Sequence, residues 1–224
     1  MKNKSSLLIG LVLFCSSCST FYYYPTQQNV LNFKKKNDKS FAAGVTPNSI
    51  GYLNAGYAFT DNIFVSSTIE NSAYYDGGFW FGKQRASRLW KNEVGFYKNL
   101  KNFYPALNIG TSVGNFGIEP YGSPIKLNQL FLQPSIGYSN PKHIDIAVSL
   151  KATKNNFSEN SKRLYSSRYI EPAFTFGVNI LSAKLRYQAV FITNHESQYP
   201  ELSNLHTFSL HYIISGERKS KSKN

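Results

Sequence analysis

The stretch "IDIAVSLK", Ile144 to Lys151, alternates without a break. Ile144, Ile146, Val148 and Leu150 fall on one parity, and Asp145, Ala147, Ser149 and Lys151 on the other. A β-strand sends successive side chains to opposite faces, so this is a strand with one apolar and one polar face. Downstream, Ile170, Pro172, Phe174, Phe176, Val178 and Ile180 oppose Tyr169, Glu171, Ala173, Thr175, Gly177 and Asn179. Upstream, Phe103, Pro105, Leu107, Ile109 and Val113 oppose Tyr104, Ala106, Asn108, Gly110, Ser112 and Gly114. No segment carries a sustained helical stripe. Abundant Tyr and Phe (16 and 17 residues) with a single Met also favour β structure.

Extending this period gives about ten strands, near 39–46, 49–60, 62–74, 88–98, 102–115, 128–139, 143–153, 168–180, 183–193 and 204–214. Their connections alternate in length. "TDN" at Thr60, "KNLKN" at Lys98, "NPK" at Asn140 and "LSA" at Leu181 are tight turns. Longer stretches lie between them: Tyr75 to Ser87, Phe116 to Leu127, Lys154 to Ser167 and Asn194 to Ser203. "TPNS" at Thr46 is a short connection on the long side. In an up-and-down barrel alternate connections fall at opposite rims, so the long loops share one rim and both termini the other. The expected fold is therefore all-β, an up-and-down antiparallel β-barrel of about ten strands, in the pattern of outer-membrane barrels.

Alternation alone leaves open which face is wet. A soluble barrel turns its apolar face inward, and a membrane barrel turns it outward. Two features favour the membrane. The polar face is rich in Gly, Ala and Ser, which suit a crowded lumen. Its charges are few and of mixed sign: Glu70, Lys91, Glu93, Asp145, Lys151, Glu171 and Arg186. Enclosed charges of opposite sign can pair, whereas an unpaired one is costly. Tyr57, Phe59, Phe96, Phe103, Tyr138 and Tyr212, near strand ends, are candidates for an interfacial girdle.

The N-terminus places the chain. Met1-Lys2-Asn3-Lys4 is basic, and Ser5 to Phe14 is apolar but shorter than the roughly 20 residues a membrane helix needs. That is an export signal. Cys15-Ser16-Ser17-Cys18 holds both cysteines of the chain, and small residues before a cysteine resemble a lipobox. The expected organisation is a lipoprotein signal peptide over 1–17, a lipidated tether over 18–38, the barrel over 39–215 and a basic disordered tail over 216–224. If Cys18 begins the mature chain, no second thiol remains for a disulfide or a Cys-ligated metal.

Net charge is +13, and loss of Lys2 and Lys4 with the leader removes two of these. In an exported protein such a balance points to lipid headgroups, lipopolysaccharide phosphates or acidic glycans rather than nucleic acid. Much of the charge lies in runs at Lys34 to Lys39, Lys83 to Arg88 and the C-terminus.

Few motifs carry chemistry. Ser209 and His211, two apart on one strand, share a face. Such a pair can activate a nucleophile if an acid orients the base, with Glu171 and Asp145 as candidates. The histidines, His143, His195, His206 and His211, match no recurrent zinc spacing, and no cofactor or phosphate-loop motif occurs. "YYDGGFWFGKQR", Tyr74 to Arg85, presents Phe79, Trp80 and Phe81 beside Lys83 and Arg85, a loop suited to sugars or anionic lipids.

"SSCSTFYYYP" at Ser16 to Pro25 and "NEVGFYKNLKNFYPALNIGTSVG" at Asn92 to Gly114 resemble outer-membrane β-barrel lipoproteins of Bacteroidetes. The resemblance implies an outer-membrane barrel with no defined activity. Ser19, Thr20 and Phe21, rather than acidic residues, follow Cys18, which implies an anchor on the periplasmic face. Three readings stay open: a non-enzymatic structural or surface-interaction barrel, a soluble lipid-tethered barrel with an apolar lumen for a small ligand, and a lipid-modifying enzyme using Ser209 and His211.

Overall fold

The computed structural model describes residues 26–45, 51–76, 83–118, 125–140, 144–160, 162–180, 183–194 and 205–214. Eleven strand segments form one antiparallel sheet. They are β1 (Lys39–Val45), β2 (Gly51–Ala58), β3 (Ile63–Asp76), β4 (Lys83–Tyr97), β5 (Phe103–Ile118), β6 (Ile125–Ser139), β7 (Ile144–Glu159), β8 (Lys162–Ile180), β9 (Ala183–Val190), β10 (Thr193–Asn194) and β11 (Leu205–Ile214). Segment β10 continues the line of β9 along β8, pairing Thr193 with Ile170. Each strand from β1 to β9 pairs with the next, and β11 fits between β9 and β1. With β9 and β10 counted as one strand, the sheet closes as a ten-stranded up-and-down barrel. Among the described residues each strand then has a partner on both sides along at least part of its length.

The faces are inverted relative to a soluble barrel. On β7, Val148 is 50% exposed and Leu150 45%, while Asp145 and Lys151 are fully buried. The same inversion runs round the wall. Ile109, Leu132, Ile170, Leu185 and Leu210 point outward and are exposed, while Asn108, Gln133, Glu171, Arg186 and Ser209 point inward and are buried. Water does not tolerate such a continuous apolar exterior on a monomer, and lipid does. This is a barrel of the outer-membrane type. The alternative of an apolar lumen is thereby corrected, because at mid-height the interior face is polar.

At the short-turn rim Phe59, Phe96, Phe103 and Tyr212 are exposed on the outer wall. Tyr57 packs edge-on to Phe59 at 5.0 Å, and Phe103 to Tyr138 at 5.3 Å. These residues sit where an interfacial aromatic girdle belongs.

Glycines on the inner face make room for rings. Tyr104 lies opposite Gly137 in the β5–β6 register, and a Cβ on Gly137 would fall 2.0 Å from its ring. Phe64 lies opposite Gly95 in the same way, with a clash at 2.3 Å. Each inward ring thus lies flat across the partner strand where no side chain stands.

The expected long connection from Lys154 to Ser167 is strand instead. β7 runs to Glu159, and β8 starts at Lys162 after a turn through Asn160, whose φ is 46°. The reason is physical. Above the apolar belt the outer residues Lys154, Asn156, Ser166 and Arg168 are polar, so the parity signal fades although pairing continues. The start of β4 at Lys83 and the end of β5 at Ile118 likewise extend past the expected bounds.

Candidate functional site: the filled lumen

Residues 26–33, part of the segment expected to be a lipidated tether, run within the lumen. Every residue from Thr26 to Phe33 is buried, none above 5% exposure. They join no strand, yet four successive carbonyls accept bonds from the wall. Lys91 Nζ donates to the Gln27 carbonyl. Gln188 Nε2 donates to that of Gln28 at 3.1 Å. Asn108 Nδ2 and Gln133 Nε2 donate to that of Asn29 at 3.3 and 2.8 Å. Arg186 Nη1 donates to that of Val30 at 2.6 Å. Long polar side chains stand in for a neighbouring strand, as a buried backbone requires.

Side chains of the segment are held as closely. Asn29 Nδ2 reaches Glu93 Oε1 at 2.6 Å and Thr68 Oγ1 at 3.0 Å. Gln28 Nε2 donates to the Glu171 carbonyl at 2.6 Å, and its Oε1 accepts from Ser149 at 2.7 Å. Lys151 Nζ donates to Thr26 Oγ1. Toward the short-turn rim the segment turns apolar. Phe33 packs on Phe64 at 5.3 Å and on Tyr97 at 5.8 Å, with Leu31 and Ala58 beside them. On the long-loop side of the polar zone, Leu89, Leu127, Phe157, Ala173, Val190 and Ile192 form a second apolar cluster.

A tight return joins the segment to β1. The buried Asp38 carboxylate accepts from the amides of Lys34 and Lys35 at 2.9 and 3.1 Å. Asn37 takes a left-handed φ of 68°. Its amide donates to the Ala58 carbonyl at 2.8 Å. The "KKKNDK" run is therefore a built turn at the rim, with Lys34 and Lys36 exposed.

All seven lumen charges expected from the sequence point inward and are buried. Lys151 lies 3.4 Å from Glu171, its direct cross-strand partner. Lys91 lies 3.8 Å from Glu70. Arg186 pairs with Asp145, which also accepts from Tyr104 at 2.6 Å and has Lys184 at 3.6 Å. Glu93 is held by neutral donors, Ser66 at 2.5 Å and Asn29. Lys184, Tyr104, Asn29 and Gln188 belong to this network as well. Tyr104, Asn29 and Gln188 are neutral and Lys184 sits at the start of β9, so the charges along the strand faces do not single them out.

Ser209 Oγ and His211 Nε2 are hydrogen-bonded at 2.9 Å. Both are buried, at 3% and 7% exposure. Among the described residues no carboxylate is hydrogen-bonded to His211. Asp145 is engaged by Arg186 and Tyr104, and Glu171 lies with Lys151 and Thr153. Among the described residues the pair is not joined to an acid that would orient it.

Cys18, the loop residues Phe79, Trp80 and Phe81, and the tail lie outside the described residues. Lys83 and Arg85 open β4, where only their backbone is described. Among the described residues no cluster of His, Cys, Asp or Glu has the makings of a metal site.

No protein-family model matches the chain, and no curated protein matches it in sequence. Among solved structures it is similar to the outer membrane protease OmpT of Escherichia coli, with a TM-score of 0.45 and 12% identity, over 83% of this chain and 99% of that one. It is also similar to OmpT, an outer membrane protein of Vibrio cholerae, with a TM-score of 0.38 and 8% identity, over 81% of this chain and 62% of that one.

Proposed function

We propose that this chain is a self-plugged barrel of the outer membrane of a Gram-negative bacterium, a structural or surface-interaction component of the cell envelope that does not act as an enzyme. The observation that carries this reading is the burial of residues 26–33 in the lumen. A channel needs a continuous wet path, and a hydrolase needs a cleft that admits substrate to its nucleophile. The segment occupies the space either would use. Lipidation of Cys18, with the anchor on the periplasmic face, belongs to the proposal on the strength of the sequence alone. Ten strands enclose a lumen that side chains largely fill even before a plug is added.

The test is heat-modifiability combined with a carbonate wash. The protein is purified from membranes in mild detergent and run on SDS gels with and without boiling. An embedded closed barrel shifts in mobility on boiling and stays in washed membranes, including when Cys18 is replaced by Ala. Release of the Cys18→Ala protein by carbonate, with no heat shift, would overturn the reading.

The Ser209–His211 contact supports a second reading, a lipid-modifying barrel enzyme. It requires that Ser209→Ala abolish a change in envelope lipid composition that the wild-type protein causes. An unchanged lipid profile removes it.

A further inference from the structure

The outer wall of β5 to β8 carries a cationic surface assembled across four consecutive strands. Four cross-strand rows define it. Uppermost, Asn115, Lys126, Ser158 and Arg163 lie side by side. The next outward row is Val113, Asn128, Asn156 and Ser166, and the third is Thr111, Leu130, Lys154 and Arg168. Directly below come Ile109, Leu132, Ala152 and Ile170, the margin of the apolar belt. Lys126, Lys154, Arg163 and Arg168 are all exposed. Among the described residues none of them is within ion-pair distance of a carboxylate.

Lys154 and Arg168 face each other directly across β7 and β8. Like charges at such a position destabilise a strand pair. Nothing in the described wall relieves that repulsion, whereas a bound anion would. The surroundings specify the kind of anion. Asn128, Asn156 and Ser166 offer neutral donors and acceptors suited to hydroxyl groups, and Leu132 and Ile170 offer acyl-chain contact immediately below. We infer that this wall binds a phosphorylated glycolipid of the long-loop leaflet, its phosphate between Lys154 and Arg168, its sugar along the Asn and Ser row, and its acyl chains on the apolar belt. The inference rests on the proposed embedding in a membrane.

The test uses full-length protein folded in detergent, with the heat shift confirming a closed barrel for each variant. The probe is fluorescently labelled lipid A, with phosphatidylglycerol and inorganic phosphate as competitors. Lys154→Gln/Arg168→Gln is expected to weaken lipid A binding roughly tenfold or more, from the loss of two cations at an anionic headgroup. Lys34→Gln/Lys36→Gln, at the opposite rim, is expected to leave it unchanged. Equal binding by the wall variant, no binding by the folded wild type, or equal displacement by phosphatidylglycerol or inorganic phosphate would each overturn the inference. A barrel that shows no heat shift would instead overturn the membrane reading beneath it.

Discussion

Gln28 and Gln188 bind each other twice. The Gln28 amide donates to Gln188 Oε1 at 3.0 Å, and Gln188 Nε2 donates back to the Gln28 carbonyl at 3.1 Å. The side-chain amide of Gln188 meets the plug as a neighbouring strand's peptide group would. It is fixed in turn by Thr175 at 2.8 Å. Gln188→Ala strands both groups of Gln28 in the lumen, at a cost of about 1–3 kcal/mol each for unsatisfied buried polar groups. In planar bilayers the wild-type protein is expected to conduct little. Gln188→Ala should flicker, and a chain lacking residues 26–33 should hold open steps. A silent deletion variant with an intact heat shift would mean the wall alone seals the lumen.

Arg186 joins three parts of the interior: the Asp145 carboxylate, the Val30 carbonyl of the plug and the inner face of β9. Arg186→Ala leaves Asp145 buried with a weaker partner in Lys184. Breaking one side of a buried pair costs about 3–5 kcal/mol. The double variant Arg186→Met/Asp145→Leu is expected to recover much of that loss. Midpoints of the heat-induced gel shift, compared across the three proteins, measure it. A double variant no better than Arg186→Ala would locate the contribution of Arg186 in the plug contact instead.

Val148 and Ser149 are neighbours on opposite sides of the wall. Val148→Arg places a charge in the apolar belt, at about 2–4 kcal/mol near the bilayer midplane. Refolding into lipid vesicles should suffer accordingly, while solubility in detergent should not. An unimpaired Val148→Arg barrel would argue that the belt does not meet lipid.

Gly137 leaves the space that the Tyr104 ring fills. Gly137→Ala forces the ring away and disturbs its bond to Asp145, an overpacking cost of about 1–3 kcal/mol. Gly137→Ala/Tyr104→Phe should be less coupled to Asp145 than Gly137→Ala alone, and denaturant midpoints would report the difference.

The wall was legible in the sequence because its period is carried by adjacent residues. Ile144 to Lys151, Tyr169 to Ile180 and Phe103 to Gly114 state their two faces unaided, and the short turns state the topology. The plug was not legible. Thr26 to Phe33 have no strand partner and hence no period, and the groups that satisfy them lie far along the chain. The cationic wall was hidden for the same reason. Lys126, Lys154 and Arg168 are isolated in sequence and become neighbours only through register, whereas the contiguous basic runs lie at a rim turn, at the start of β4 and in the tail. Ser209 and His211, two apart on one strand, were the exception, since adjacency on a strand face needs no knowledge of the fold.

The plug also constrains how the molecule comes into being. Gln28 is bonded to Gln188, 160 residues later, so the segment cannot be secured until β9 is in place. Contacts of such long sequence separation are slow to form, because closing the loop precedes any reward for it. The hairpins from β2 to β8 assemble locally, but the interior they enclose must admit a segment that left the ribosome before any of them. The seam where β11 meets β1 and β9 closes the wall, and what it shuts in is the segment that precedes β1.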